Sequence, residues 1–326
     1  MTKAISLLSG GLDSILATKL ILEQGIEVEG IYFSTLFFVP VKDMEFLSHK
    51  LKIKIKIFEV NEELLNIVKN PKYGYGANLN PCIDCRIFML KKAKEYMKEI
   101  DALFLITGEV LGERPMSQRR DIFKLLEKET ALEGLILRPL SAKLLPPTLP
   151  EKNGLVDRER LLGISGRSRK IQLQLAEQLK IDYYSQPAGG CLLTDPGFSK
   201  RLKDLMQHNP GFSLKDLQFL KLGRHFRLSK NTKLIIARNE KENQKILSLA
   251  EEKDLLFYPQ DKKGPVALAR GELNLDLINL SGAILARYCK SLDTQPIRIA
   301  YKRMDEDQEN LIESQTSKEE FERYRI

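Results

Sequence analysis

The sequence predicts an α/β protein in two parts: a parallel-sheet domain over residues 1–195, then a smaller α+β domain over 210–305 with a charged tail at 306–326. Three observations carry this expectation. The chain has 326 residues, 43% of them hydrophobic, enough to bury a sizeable core and to divide into domains. "AISLL", "SILATKLILEQG" and "IEVEGIYFST" read in turn as a buried strand, a helix closed by Gly25 and a second strand, which is a right-handed β-α-β unit. From about Pro210 the pattern changes to short strand-like runs, "HFRLS", "TKLIIAR", "LLFYP" and "PVALAR", around one charged helix.

Composition narrows the class further. There is no run of about 18 apolar residues, and the start "MTKAISLLSGG" lacks a basic-then-apolar signal segment, so a soluble, cytoplasmic protein with no membrane partner is expected. Four cysteines, Cys82, Cys85, Cys191 and Cys289, suit metal or redox chemistry better than a disulfide framework in a chain of this length. The formal charge is +8 and local: residues 197–290 hold 18 Lys and Arg against 10 Asp and Glu, while the remainder balances at 34 against 34. A basic segment beside a neutral one suits a polyanion, RNA first, although a solvated basic face has the same composition.

Between the first strand and helix stands "SGGLDS", Ser9 to Ser14. Gly10 and Gly11 permit a tight turn and close approach of the backbone to a ligand, and Ser9 and Ser14 add hydroxyls beside a helix N-terminus, where free N–H groups favour an anion. The spacing fits neither of the common glycine-rich nucleotide loops, G-x-x-x-x-G-K-[ST] and G-x-G-x-x-G. A plain glycine-rich turn with Asp13 as a helix-starting acid is the alternative. The stretch resembles the S-G-G-x-D-S pyrophosphate loop of the N-type (PP-loop) ATP pyrophosphatases, whose fold is the adenine-nucleotide alpha hydrolase type. That resemblance implies that Ser9, Gly10, Gly11 and Ser14 hold the phosphates of ATP, with Asp13 acting through Mg2+.

The strand "ALFLIT" and the loop after it place Thr107 and Glu109 at the carboxyl end of a sheet strand, level with the first loop, so both face one cleft. This segment resembles the T-G-E-x-L-G-x4-S-Q stretch of tRNA 4-thiouridine synthetases, with Thr107, Gly108, Glu109, Leu111, Gly112, Ser117 and Gln118 matching. Of these, Thr107, Gly108, Glu109, Ser117 and Gln118 are expected at the nucleotide. "LRPL" at 137–140 resembles the segment that follows. The resemblance covers most of residues 1–195 and implies ATP-dependent thiolation of tRNA or another RNA, fed by sulfide or a persulfide carrier. A 4-thiouridine synthetase usually carries an RNA-capturing domain before the pyrophosphate loop. Here the loop starts at residue 9, so an RNA-binding module is expected at the other end, and 2-thiouridine and 4-thiouridine both stay open as products.

"NPCIDC" supplies Cys82 and Cys85, and "AGGC" supplies Cys191. In thiolating members of the superfamily such cysteines act as a persulfide pair, here Cys85 and Cys191, or as three ligands of a [4Fe-4S] cluster, here Cys82, Cys85 and Cys191. Thiolates suit iron–sulfur clusters, and three of them leave one iron open. Zinc is the competitor, with Cys289 as fourth ligand, and a site without metal is the remaining alternative. Cys289, on the apolar face of an expected helix, reads by default as a buried thiol. None of His49, His208 and His225 is assigned catalysis.

Cations complete the expectations. Arg167, Arg169 and Lys170 near the start of a helix at about 166–179 are candidate RNA contacts, against an ordinary exposed basic face. The segment from "KLIIARNEKENQKIL" onward loosely resembles the RNA-binding module of fibronectin-binding-like ribosome-quality-control proteins. There Lys221, Arg224, His225, Arg227, Lys230, Lys233 and Arg238 form the expected phosphate footprint, with Phe226 and Tyr258 as stacking candidates. Phe226 has a core position as its alternative. A small-molecule sulfurtransferase or ligase, and a non-catalytic RNA-binding factor, are the rival functions.

Overall fold

A computed structural model describes residues 2–38, 44–184, 190–289, 296–306, 308–314 and 321–326. The chain separates into two compact units, Met1–Thr194 and Asp195–Ile326.

The first unit is a parallel sheet with helices. Its elements run β1 (Lys3–Leu7), α1 (Leu12–Leu22), β2 (Glu27–Ser34), α2 (Met44–Leu51), β3 (Ile55–Glu59), α3 (Asn61–Lys69), α4 (Cys82–Glu99), β4 (Phe104–Thr107), α5 (Arg120–Thr130), β5 (Ile136–Leu137), α6 (Leu149–Lys152) and α7 (Lys170–Gln178). The strand order is β3-β2-β1-β4-β5, with every pairing parallel. β1, KAISL, is mostly apolar because both of its faces are covered, and its buried Ser6 is satisfied by Thr18 Oγ1 at 2.7 Å. Ile15, Leu16 and Ile21 of α1 pack with Ala4, Val28, Phe104 and Ile106 in one core.

Strand order reverses between β1 and β4, since the chain moves outward through β2 and β3 and then returns to the other side of β1. Such a switch point opens a crevice at the carboxyl ends of the two strands, because their following loops leave in opposite directions. Leu7 pairs with Thr107, so the loops after β1 and β4 do start level with each other.

The second unit comprises α8 (Pro196–His208), α9 (Leu214–Phe219), β6 (Arg224–Ser229), β7 (Thr232–Ile236), α10 (Glu240–Leu249), β8 (Leu255–Pro259), β9 (Ala267–Gly271), α11 (Leu275–Tyr288), β10 (Ile297–Arg303) and β11 (Asn310–Ser314). Its sheet is antiparallel, in the order β11-β10-β8-β9-β7-β6. Side chains alternate across such a sheet, giving two cores. Phe226, Leu234, Phe257 and Ile299 meet α11 on one face, and Ile235, Leu256 and Leu268 meet α9 and α10 on the other.

The charged end of the chain differs from the expected tail. Asn310–Ser314 pair with β10 as an edge strand, and Phe321 is buried in the α11 core. A Cβ on Gly282 would lie 2.2 Å from Ile312 Cδ1, so helix and edge strand are in close contact. An edge strand is held by backbone hydrogen bonds on one side and needs few apolar side chains, which is why a charged sequence supplies it.

Gly271 closes β9 at φ +115°, where a Cβ would lie 1.8 Å from the Asn231 carbonyl oxygen. Gly271→Ala is expected to cost about 1–3 kcal/mol through backbone displacement in the sheet. Urea unfolding followed by circular dichroism measures this loss; an unchanged midpoint would contradict it.

Candidate functional site

The phosphate-loop candidate lies at the switch point. Gly10 takes φ +72°, which lets the chain turn straight from β1 into α1. Its hydroxyls brace the turn: Ser14 Oγ donates to the Gly11 carbonyl at 2.8 Å, and the Gly11 and Ser9 N–H groups donate to Ser9 Oγ and Ser14 Oγ at 3.3 and 3.2 Å. The N-cap residue of α1 is Gly11, which has no side chain to cap the helix. The N-terminal N–H groups of α1 therefore receive no side-chain oxygen from their cap, and the positive end of the helix faces the crevice.

Gly108 fixes the second loop against the first. A Cβ there would stand 2.4 Å from Ser14 N and 2.6 Å from the Asp13 carbonyl carbon, so the backbones touch. The loop continues through Leu111, which bridges Ser165 and accepts from Gly166 N at 2.8 Å, and so ties the start of the α7 segment to the same end of the sheet.

Polar groups without partners gather beside Asp13. Asp13 Oδ1, Arg169 Nε and both amide atoms of Gln172 are buried without a hydrogen-bond partner, and Gln172 is 0% exposed. Burial raises the Asp13 pKa, while the charges of the nearby Arg169 and Arg114 guanidinium groups pull it back. Glu113 belongs to the same cluster: its pKa rises through burial and the Asp13 charge, opposed by Arg114 and Arg169. Unpartnered buried polar atoms are costly, and four in one place suit a ligand. Arg114, Glu113 and Gln172 were missed in the sequence because only the tertiary fold brings them to the loop. Arg169 thereby parts from Arg167 and Lys170, which are exposed.

The other motif residues divide. Thr107, Ser117 and Gln118 are buried, and the Glu109 carboxylate accepts from Arg138 Nε at 3.0 Å and faces Arg86 Nε at 3.5 Å. Burial would raise the Glu109 pKa, but Arg86 and Arg138 hold it below its ordinary value. Glu109, expected at the nucleotide, is here the counter-ion of two arginines, with its buried Oε1 making no hydrogen bond.

Cys82 opens α4 and Cys85 follows one turn later, so both sulfurs leave the same face of the helix. Cys191 bridges Phe38, and its segment is laced to the loop before α4 by Asn78 Nδ2 donating to the Thr194 carbonyl at 2.8 Å and Leu79 N donating to the Leu193 carbonyl at 3.3 Å. Burial, with the neighbouring Cys191 and Cys82, pushes the Cys85 thiol strongly up. Burial, with Cys82 adding to it, takes Cys191 to about 11. The three thiols therefore sense one another's charge, although among the described residues no group of three or more His, Cys, Asp or Glu side chains is arranged to hold a metal ion. Cys289 is buried in the second unit's core, its thiol donating to the Leu285 carbonyl.

In the second unit the expected basic footprint is partly spent internally. Lys233 is 9% exposed with its ammonium 3.2 Å from Asp204, and Arg227 makes two bonds to the same carboxylate at 3.0 and 2.7 Å. His225 is buried with Nε2 at the Phe219 and Leu222 carbonyls. Lys233 and His225 are interior groups and Arg227 is part-buried, because alternation along β6 and β7 turns the lysine and arginine toward α8 and the histidine toward the end of α9. Phe226 is in the core. Arg224 stacks on Tyr288 at 4.5 Å, Lys221 is half-buried, Lys230 is exposed, and Arg238, half exposed, pairs with Glu242. Tyr258 bonds to Glu309. Among the described residues no helix is long and apolar enough to cross a membrane.

Residues 1–143 match the family model described as thiamine biosynthesis protein (ThiI), and residues 223–325 match NFACT-R_2, the NFACT protein RNA binding domain. A probable tRNA sulfurtransferase of Alkaliphilus metalliredigens is 32% identical over 146 residues, 43% of this chain and 36% of that protein. The tRNA-specific 2-thiouridylase MnmA of Pseudomonas fluorescens is 24% identical over 239 residues, 69% of this chain and 61% of that protein. A 4-thiouridine synthetase–RNA complex with bound ATP overlays loosely, with a TM-score of 0.39, 21% identity, and coverage of 68% of this chain and 52% of that one. The chain spans 36–42% of the length of the first curated sulfurtransferases it matches. Its first unit is thus similar to the ThiI family and to tRNA sulfurtransferases, and its second to the NFACT protein RNA binding domain.

Proposed function

We propose that this protein thiolates a uridine of tRNA at the expense of ATP, releasing AMP and pyrophosphate. The reading is carried by one loop: residues 108–118 touch the phosphate loop through Gly108 and reach Cys82 through Ser117, so nucleotide and sulfur chemistry share an edge of the sheet. The tRNA sulfurtransferases and the 2-thiouridylase among the relatives support it, and a tRNA substrate suits a cytoplasmic enzyme.

Ser9, Gly10, Gly11 and Ser14 surround the phosphates, and the N-terminus of α1 offers its N–H groups to the anion. Asp13, whose buried Oδ1 lacks a partner, would hold Mg2+, which when bound would neutralise charge on the phosphates, and Arg169 and Gln172 stand beside it to meet the pyrophosphate that leaves. The uridine carbonyl oxygen attacks the α-phosphorus, which turns a poor leaving group into AMP. Hydrosulfide-level sulfur then bonds to the ring carbon as the C–O bond to AMP breaks, and its proton is lost to solvent.

The chemistry of the donor set suits an iron–sulfur cluster, since Cys82, Cys85 and Cys191 are three soft sulfur donors that influence one another's ionisation, although the described residues do not arrange three donors around one point. When bound, such a cluster supplies an open iron to carry exogenous sulfide. Exposed Arg167, Lys170 and Lys230, with Lys221, Arg224 and Arg238, form the RNA-facing cations.

Anaerobic protein with ATP, sulfide and tRNA is expected to release AMP and yield a thiolated nucleoside, and Asp13→Ala is expected to abolish both. An Asp13→Ala protein that still thiolates would sink the scheme. Iron, sulfide and zinc analysis is expected to give roughly four irons, lost in Cys191→Ala; an iron-free protein that thiolates turns the thiols into a persulfide site. RNA binding is expected to weaken steeply with salt, and salt-independent binding would reject the cationic footprint.

A further inference from the structure

The first turns of α8 (Pro196–His208) hold a cation with nothing to balance it, in a helix that lies outside both matched segments, 1–143 and 223–325. Arg201 is part-buried, its Nε is buried without a hydrogen-bond partner, and among the described residues it makes no ion pair. The side chain runs back along the helix, with Nη1 3.7 Å from where a Cβ on Gly197 would stand, as helical side chains do. That is the end of α8 where the helix dipole is positive and disfavours a cation. The Asp195 carboxylate is near enough to favour the charge of Arg201, but it is engaged as the N-cap, accepting from Phe198 N at 2.6 Å.

The surroundings add positive charge. Burial and the charge of Arg238 both work against the Arg201 guanidinium. Arg238 itself is 48% exposed and reaches the Lys221 carbonyl at 3.4 Å. The carboxylates beside these cations are taken. Glu242 pairs with Arg238 and also accepts from Arg238 N at 2.8 Å and Gly223 N at 3.2 Å, while Asp204 is held by Arg227 and Lys233. An unpaired, partly desolvated charge is costly to keep, and Arg201 is kept beside a second cation at the positive end of a helix. All three features call for an anion.

We propose that Arg201 binds a phosphate of the RNA backbone, so that α8 and Arg238 together extend the RNA surface of the second unit beyond residues 223–325. This rests on the reading of that unit as RNA-binding. A guanidinium suits the task because its planar fork offers Nε–H and an Nη–H side by side to two phosphate oxygens, and the Nε–H of Arg201 has no internal acceptor.

The test is the binding of unfractionated, fluorescently labelled tRNA to the full chain, followed by anisotropy over a series of salt concentrations without ATP or sulfide. Arg201→Gln is expected to weaken binding about five- to tenfold near 0.1 M salt and to lower the slope of log K against log salt by about one, the share of one phosphate contact. Arg201→Lys keeps the slope and loses part of the affinity, since an ammonium has the charge without the fork. Lys203→Gln removes an exposed cation from the same helix and measures what diffuse charge alone contributes; it is expected to change binding far less. Arg201→Gln breaks no internal bond, so it is expected to melt no lower than wild type. Unchanged tRNA binding in Arg201→Gln, an equal loss in Lys203→Gln, or a melting temperature several degrees below wild type overturns the proposal. Wild-type protein that binds no tRNA overturns it together with the RNA-binding reading, whereas this binding pattern in a protein that leaves tRNA without sulfur faults the thiolation reading alone.

Discussion

Gly108→Ala is expected to abolish ATP binding and AMP release while leaving a folded chain. The added carbon would stand 2.4 Å from Ser14 N and 2.6 Å from both the Asp13 carbonyl carbon and the Ser14 Cα. All three are backbone atoms at the start of α1, so no side chain can swing aside. Either α1 shifts away from β4 or the loop after β4 lifts off. Overpacking of this kind costs about 1–3 kcal/mol, which a unit with this core can survive. The nucleotide is less forgiving, because the N–H groups at the start of α1 must point at phosphate oxygens within hydrogen-bonding reach. Isothermal titration with ATP, beside a thermal melt, separates the two effects. Loss of binding with a modest drop in melting temperature is the expected result; tight binding in the variant would show that the contact between the loops is not what shapes the phosphate site.

The residues at this contact mark how far the sequence could be read. "SGGLDS" and "TGE" were read through their resemblance to nucleotide-binding motifs, and the structure sets them at the carboxyl ends of β1 and β4, with Leu7 level with Thr107. Which motif residue faces ligand and which faces protein was not legible. Glu109 and Ser117 stand in one motif, yet the first binds two arginines and the second a cysteine. That choice depends on where α4 and β5 fall relative to β4, which is set by packing among elements distant in sequence. The same holds for Gln172, whose place beside Asp13 needs the crossover from β5 to α7, and for Arg114, brought there by the loop after β4.

In the second unit the strands "HFRLS" and "TKLII" were legible from their alternation, but composition could not tell a cation facing RNA from one facing Asp204. Lys233 shows the difficulty. Its ammonium is held at the Asp204 carboxylate, and burial, only partly countered by Asp204, lowers its pKa to about 8. A lysine on a strand gives no sign of this until the helix bearing Asp204 is in place. The edge strand β11 was invisible for the opposite reason: "NLIES" carries little apolar signal, and its pairing is decided by the free edge of β10.

Glu109→Gln is expected to cost about 3–5 kcal/mol of stability, the penalty for leaving a buried cation without its partner. Arg138 is 4% exposed and its guanidinium lies between Glu109 at 3.0 Å and Glu127 at 2.7 Å, with the ring of Phe123 3.9 Å away. A glutamine keeps the shape but not the charge, so Arg86 and Arg138 are left facing a neutral amide, and Glu127 alone cannot compensate both. The wild-type pair should also impose a pH dependence. Because Arg86 and Arg138 outweigh burial, the folded-state pKa of Glu109 lies below its ordinary 4.5. A carboxylate with a lowered folded pKa binds its proton more weakly in the native state than in the unfolded chain. Its contribution is therefore fully present above the unfolded value and is lost as pH falls below 4.5 toward the lowered one. Urea unfolding of wild type and Glu109→Gln from pH 7 down to pH 3 is expected to show two curves far apart at neutral pH that converge in acid. A constant gap across that range would mean that the glutamine variant fails through lost packing, and that the charge of Glu109 does not hold the two arginines in place.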